Sequence, residues 1–344
     1  MAIPVEDGGG GLPEVVAIIQ VYNEEDVFEA VLKHLTEQGI GVYVMDDWST
    51  DETLAIAQSF VGKGVVGIEQ FPFEGRSEQF LYEPALQRKA VLAKELATRG
   101  ARWVIHYDAD ELRESPWPGV SLREGLLRAE SEGFNAVDHM LLEFVPVDET
   151  WRRGLSPAEH FRYFRYMDTR ANSRHVKAWI QGEALVDLVT HAGHAVEFPG
   201  RRVHPLPFLI RHYSIRSTAQ ARKKIFQDRL PRYEPELVDR GLHLHYRGAA
   251  EKEHFLGTPE DPGVQVYSQE SLQRALLAER YAATSAAAEN RILELERELR
   301  LAQAQVAHYT ALHQKLRYRM ADRFNAALKW TGIHKFIKRL LSHG

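Results

Sequence analysis

Short apolar runs and stretches of helical periodicity alternate along the first third of the chain. Val15-Val16-Ala17-Ile18-Ile19 is continuously apolar, the pattern of a strand buried on both faces. From Asp26 to Gln38, Val27, Val31, Leu32 and Leu35 fall at helical spacing, and Gly39 and Gly41 stop that helix. Val42 to Met45 predicts a second strand, running into Asp46-Asp47. Ser49 and Glu52 have the spacing of a capping box ahead of a helix from Thr53 to Phe60. Val65 to Ile68 predicts a third strand, residues 77–99 a long helix, and Trp103 to Tyr107 a fourth strand that ends in Asp108-Ala109-Asp110-Glu111. This alternation predicts an α/β fold with a doubly wound, mostly parallel sheet, in which ligands sit at the carboxyl ends of strands. Three of those ends carry polar clusters: Tyr22-Asn23-Glu24-Glu25, Asp46-Asp47 and Asp108-Ala109-Asp110.

Beyond residue 115 the pattern weakens. A helix is expected over 121–131 and strands over Ala136–Val145 and Val176–Ile180. Residues 190–215, rich in His, Gly and Pro, predict irregular structure with short strands, and 218–229 a basic helix. The expected organisation is an α/β domain over 14–250, a Gly/Pro-marked linker over 251–270, a coiled coil over 271–314 and a basic amphipathic tail over 315–344. Tyr281, Ser285, Ala288, Ile292, Leu295, Leu299, Ala302, Val306 and Tyr309 occupy successive heptad seam positions, which predicts a homo-oligomer. In the tail, Ile333, Phe336, Ile337, Leu340 and Leu341 share one helical face, opposite Lys335, Lys338 and Arg339. Such a helix suits peripheral contact with an anionic membrane; binding a partner protein and packing on the coiled coil are the alternatives.

Composition narrows the chemistry. The 344 residues contain no cysteine, which excludes disulfides, thiolate metal sites and a cysteine nucleophile. A net charge of -5 gives no reason to expect nucleic acid as a partner. The acidic, glycine-rich start lacks the basic and apolar regions of a signal peptide, and no run of about 18 apolar residues occurs, so a cytoplasmic protein is expected, peripheral at the inner membrane face if its tail binds there.

Two carboxylates at the end of a buried strand, Asp108 and Asp110, can hold a hard cation such as Mg²⁺ or Mn²⁺, directly or through water. A cation there neutralises a departing diphosphate. The structural alternative is a solvated turn. Asp47 can accept a hydrogen bond from a base N–H beside a helix N-terminus that favours anions, whereas Asp47 and Ser49 serving only as helix caps is the plainer reading.

The order and spacing of VVAIIQVYNEEDVFEAVLKHL, VYVMDDWSTDETL and WVIHYDADE resemble the family 2-like glycosyltransferases of the GT-A fold. The resemblance implies that Gln20, Tyr22, Asn23 and Asp47 line a nucleoside pocket, that Asp108 and Asp110 bind metal and diphosphate, and that Arg88 or Lys89 lies near the nucleotide. RHVKAWIQ, HAGHAVEFPGRRVHP and LIRHYSIRSTAQARKKIFQDRLPRY resemble a bacterial subgroup of these enzymes, with Ser214 where proline is usual. There His212 stands as a third metal ligand and Arg216, Ser217 and Lys224 as diphosphate contacts. Neutral imidazole is a good ligand for such ions, although a histidine hydrogen-bonded in the core is the alternative among sixteen. The HAGH pair His191 and His194 has no helix face to chelate from, and at least one of the two is expected to orient a loop near the acceptor. For the catalytic base the resemblance points to Asp187, with Asp138 second and Glu143 and Glu183 behind them; a buried salt-bridge partner is the alternative for Asp187.

The reading expected is therefore a metal-dependent, inverting transfer from a nucleotide-diphosphate sugar, UDP-linked by family habit, to a sugar or lipid-linked acceptor in surface polysaccharide or glycoconjugate synthesis. A sugar-phosphate nucleotidylyltransferase needs a glycine-rich basic loop where this chain has QVYNEED, and a receiver domain is shorter and carries its acidic pair after the first strand. A non-catalytic scaffold, oligomerising through the coiled coil and docked on membrane, is the competitor from another class.

Overall fold

The computed structural model describes residues 2–4, 11–167, 175–232, 254–278 and scattered helical positions between 294 and 327. The chain divides into a unit over 1–280 and a second over 281–344. The first unit opens with strand β1 (Ala2–Pro4), then β2 (Val15–Val21), helix α1 (Phe28–Thr36), β3 (Gly41–Asp46), α2 (Thr53–Ser59), β4 (Val65–Gln70), α3 (Tyr82–Thr98) and β5 (Trp103–Asp108). Strands β4, β3, β2 and β5 lie side by side and parallel, and β1 adds antiparallel to β4.

The apolar run of β2 follows from this placement. Val15, Ala17, Ile19 and Val21 enter one core with Val31, Leu32 and Leu35 of α1, while Val16 and Ile18 enter the other with Leu86, Ala90, Ala93 and Leu96 of α3. A strand covered on both faces has no polar position to spare until it reaches its carboxyl end.

The remainder completes the sheet with mixed directions: β6 (Glu111–Glu114), α4 (Leu122–Ser131), β7 (Ala136–Phe144), α5 (Pro157–His160), β8 (Tyr163–Tyr166), β9 (Ala178–Ile180), β10 (Val203–His212), α6 (Thr218–Arg222) and β11 (Gln265–Val266). The order is β1-β4-β3-β2-β5-β9-β7-β10-β6, with β8 on β7 and β11 on β8. β9 is antiparallel to β5 and β7, and β10 is parallel to β7 and antiparallel to β6.

Three local expectations are corrected. Residues 203–212, expected to hold only short strands within irregular structure, form one long strand, in which the register shifts between His204 and Phe208, around Pro205 and Pro207. Proline removes a ladder donor, and the shift absorbs that loss. The Ser49–Glu52 capping box does not form, because Ser49 Oγ instead accepts from the Asn23 backbone N–H at 3.1 Å. A complete box forms at Ser121 and Glu124 of α4. The basic helix over 218–229 is an α-helix only to Arg222 and continues as a wider π-helical segment over Lys223–Arg229 and a 3₁₀ turn over Leu230–Arg232.

Within the first unit, β11 pairs with β8, and Gln273 and Leu276 are buried, Gln273 donating to the Ser115 carbonyl at 2.7 Å. Of the heptad positions, Leu295, Leu299, Ala302 and Val306 are exposed on described helical residues of the second unit. Tyr281, Ser285, Ala288, Ile292 and Tyr309, and the apolar face of the tail, lie outside the described residues. Among the described residues no helix is long and apolar enough to cross a membrane.

Candidate functional site

The three polar clusters meet. Strands β3, β2 and β5 are neighbours, so Asp47, Tyr22-Asn23 and Asp108-Ala109-Asp110 line one continuous carboxyl edge. Gln20 pairs in register with Met45 on one side and Asp108 on the other. Asn23 and Trp48, the turning residues after β2 and β3, hold φ of 53° and 58°, a left-handed backbone that costs energy for a side-chain-bearing residue and is concentrated at functional sites.

At the β2–β3 end, Asn23 accepts from the Thr50 N–H at 2.8 Å and donates to Asp228 at 2.8 Å, tying the β2 turn to the π-helical segment. Asp47 is buried and faces Arg232, whose Nη2 donates to Oδ1 at 3.0 Å. Burial pushes the Asp47 carboxyl up against the pull of Arg232. The same guanidinium lies 4.3 Å from the Tyr22 ring centroid, and Arg76 donates to the Tyr22 hydroxyl at 3.0 Å.

The two carboxylates of the D-x-D turn apart. Asp108 pairs with Lys177 at 2.5 Å, with His106 Nε2 3.7 Å away; burial opposes its charge, but Lys177 and His106 hold it well below the usual range. Asp110 pairs with Lys224 at 2.7 Å and lies 3.5 Å from His212 Nε2; here too burial is outweighed, by Lys224 and His212. His212 Nδ1 donates to Glu143 at 2.6 Å, and Ser214 Oγ donates to the other Glu143 oxygen. Glu143 and Asp110 raise His212 well above its ordinary value against the effect of burial.

These residues fit a divalent cation at Asp110 and His212. A carboxylate and an imidazole 3.5 Å apart are spaced as two ligands of one ion, and Glu143 supplies the carboxylate that metal-bound histidines carry on their second nitrogen. Lys224 already presents a cation to the same Asp110 oxygen. As placed, no three His, Asp or Glu among the described residues gather round one point, so Asp108 does not join Asp110 and His212 directly.

Other expected contacts are placed elsewhere. Arg88 is held by Glu69 at 2.8 Å and Glu95 at 2.9 Å, and touches none of the expected nucleoside residues. Lys89 is buried 3.2 Å from His106, and burial pulls its ammonium down to about 8 despite the Asp108 charge. Arg216, fully buried, joins Glu24 at 2.6 Å, Asp26 at 2.8 Å and the Tyr213 carbonyl at 2.7 Å, so it staples the β2 turn to the end of β10. Ser217 caps α6 by accepting from the Gln220 N–H. Glu24, not singled out in the sequence, gathers Arg216, Lys224 and Arg229.

Of the four base candidates, only Glu143 joins the cluster. Asp187 is exposed and accepts from the Val189 and Thr190 N–H groups and the Thr190 hydroxyl, which makes it the builder of a turn. Asp138 lies on β7 five residues from Glu143, so alternation puts the two on opposite faces. Glu183 is exposed, and Glu143 is committed to His212 and Ser214. The Asp187 turn opens the HAGH loop: Tyr82 donates to the Ala192 carbonyl, and a Cβ on Gly193 would come within 2.9 Å of His106. His191 reaches Glu197 at 3.1 Å, and His194 packs edge-on against His175 with ring centroids 5.4 Å apart.

Residues 16–71 match the family described as Glycosyl transferase family 2. No curated protein matches the chain. Among solved structures, S. aureus TarS is similar at 18% identity and TM-score 0.30 over 48% of this chain, which spans 28% of the TarS chain. The 1–349 portion of TarS in complex with UDP gives the same identity and TM-score, with 46% of that chain covered. A mannosyltransferase from Pyrobaculum calidifontis, PcManGT, in complex with GDP-Man and Mn²⁺, is similar at 16% identity and TM-score 0.35, covering 82% of this chain and 81% of that one.

Proposed function

We propose that this chain, whose residues 16–71 match glycosyl transferase family 2, is a glycosyltransferase that moves a sugar from a nucleoside-diphosphate donor to a hydroxyl acceptor. The observation that carries the reading is the convergence of Tyr22, Asn23, Asp47, Asp108 and Asp110 on the carboxyl edges of three adjacent parallel strands, with His212 facing Asp110 across 3.5 Å. Tyr22 offers a face for a base, and Asp47 an acceptor for a base N–H, as uracil presents at its imide; this favours a UDP-sugar. Lys224 and Lys177 supply positive charge beside the carboxylates where a diphosphate would lie.

Asp110 and His212 would hold a Mn²⁺ or Mg²⁺ ion, with Asp108 reaching it through water, and the ion would neutralise charge on the departing diphosphate. Arg216 keeps Glu24 and the β2 turn in place instead of meeting the diphosphate itself. In this reading the transfer is inverting and the acceptor a sugar or lipid-linked sugar, while the heptad seam and the basic amphipathic tail of the sequence support a homo-oligomer in peripheral contact with a membrane.

A thermal-shift series with UDP, GDP, CMP and dTDP, each with and without Mn²⁺ or Mg²⁺, tests the proposal. The expected result is a metal-dependent rise in melting temperature for one nucleotide, lost in Asp110→Ala. No shift at millimolar nucleotide would transfer support to the scaffold reading.

A further inference from the structure

Arg232 meets the nucleoside pocket in the way a base would. Its guanidinium is planar and edged with N–H donors; its Cζ lies over the Tyr22 ring, 4.3 Å from the centroid, and Nη2 meets Asp47. A nucleobase has the same two features, a π-face to stack and an N–H edge to donate. Lys224, on the same segment, places an ammonium 2.7 Å from Asp110, where a metal ion would sit. Both side chains are buried.

The Arg232 fit is incomplete. Nη2 makes one good hydrogen bond to Asp47 Oδ1, but Nη1, though 3.0 Å from Oδ2, is not aligned with it as a hydrogen bond, and Nε is buried with no partner among the described residues. A buried donor left unsatisfied makes an occupant replaceable. The segment is also unlike a rigid helix. It runs as a π-helical stretch over Lys223–Arg229 and a 3₁₀ turn over Leu230–Arg232, a geometry found mostly as local adjustments at functional sites. Its end is tied to the loop before α3, where the Arg232 carbonyl accepts from the Phe80 N–H at 2.8 Å.

We infer that residues 223–232 form an autoinhibitory strap, with Arg232 standing in for the nucleobase on Tyr22 and Asp47 and Lys224 for the cation on Asp110, so that donor binding must displace Arg232. This inference rests on the nucleotide-sugar reading of the site. Glu24, which also pairs with Lys224 at 2.8 Å, retains that lysine when Asp110 is taken by an ion.

The test is isothermal titration of UDP and of GDP, each with Mn²⁺, into the full chain and into Arg232→Met, with Arg232→Gln as a second variant should the first melt early. Affinity for a pocket that is open only part of the time falls by the open fraction, so a strap closed about nine-tenths of the time predicts binding about tenfold tighter in the variants. That gain should vanish when Asp47→Asn is added. Equal or weaker binding in both variants, with the wild-type chain still binding nucleotide, overturns the strap and leaves the donor reading standing. Absence of binding to wild type and variants alike overturns both.

Discussion

Glu143 accepts from His212 Nδ1 at 2.6 Å and thereby aims Nε2 at Asp110, 3.5 Å away. Ser214, which replaces the proline usual in the resembling subgroup, donates to the second Glu143 oxygen and fixes the carboxylate in turn. Glu143 is thus a positioning residue for His212. Glu143→Leu should weaken Mn²⁺ binding about 10–100-fold, the effect typical of losing such a carboxylate. Glu143→Gln, whose amide oxygen can still accept from Nδ1, should lose less. Electron paramagnetic resonance of free Mn²⁺, titrated with the protein and UDP, reads this without any assay of transfer. Unchanged Mn²⁺ affinity in the leucine variant would remove Glu143 from that role.

Arg216 predicts stability more than affinity. It is 0% exposed and spans Glu24, Asp26 and the Tyr213 carbonyl. Arg216→Met leaves the buried Glu24 with Lys224 and Arg229 as its remaining cations, so the loss should fall below the roughly 3–5 kcal/mol of a buried charge left without any partner. The Asp26 share is smaller, because that carboxylate is 25% exposed and screened by solvent. Urea unfolding should show the loss as a lower midpoint, with Arg216→Lys in between. A midpoint unchanged in the methionine variant, with nucleotide affinity lost, would return Arg216 to the diphosphate.

The same pair sets a pH dependence. Burial works against the Asp26 charge, but Arg216, by charge and hydrogen bond, and a bond from Trp151 outweigh it and lower its pKa. A carboxyl with its folded pKa below its unfolded value, about 3.9, contributes stability that is complete above that value and is lost as pH falls through the folded one. The stability gap between the wild-type chain and Asp26→Asn should therefore be widest above about pH 5 and narrow as pH falls below the unfolded value of about 3.9. A gap independent of pH would mean that Asp26 acts through packing alone.

The parallel half of the sheet was legible because each strand there is buried on both faces, so its apolar run ends where its chemistry begins. Val15–Val21 and Trp103–Asp108 are strands whose far ends carry Tyr22-Asn23 and the D-x-D. The later half was harder to read. β10 hides in VHPLPFLIRH because its prolines read as a break, and only the tertiary pairing with β7 and β6 shows it as one strand. Long-range charge pairing was likewise out of reach: Arg216 was visible as a cation near the site, yet nothing local tells that Glu24, 192 residues away, claims it. Arg232 lies in the RLPRY stretch that carried the resemblance, with no periodicity to aim it at Tyr22.

Asp187 distinguishes what sequence position suggests from what geometry allows. Its place after the D-x-D made it the favoured base, but its Oδ1 accepts from the Val189 and Thr190 N–H groups at 2.8 and 3.0 Å, and its Oδ2 from the Thr190 hydroxyl at 2.5 Å. Those bonds lower its pKa, the Thr190 hydroxyl first and the backbone bonds after it, and a weakened base on an exposed turn is a poor proton acceptor. Removing a general base typically costs about 10²–10⁴-fold in rate, whereas losing a side-chain cap costs about 1 kcal/mol of stability. Asp187→Ala should accordingly lower kcat less than about tenfold, well short of that base effect, while the HAGH loop it anchors exchanges its amide hydrogens faster. A fall in kcat of about a thousandfold, with KM and amide exchange unchanged, would restore Asp187 as the base and imply that the loop carries it to the acceptor once the donor is bound.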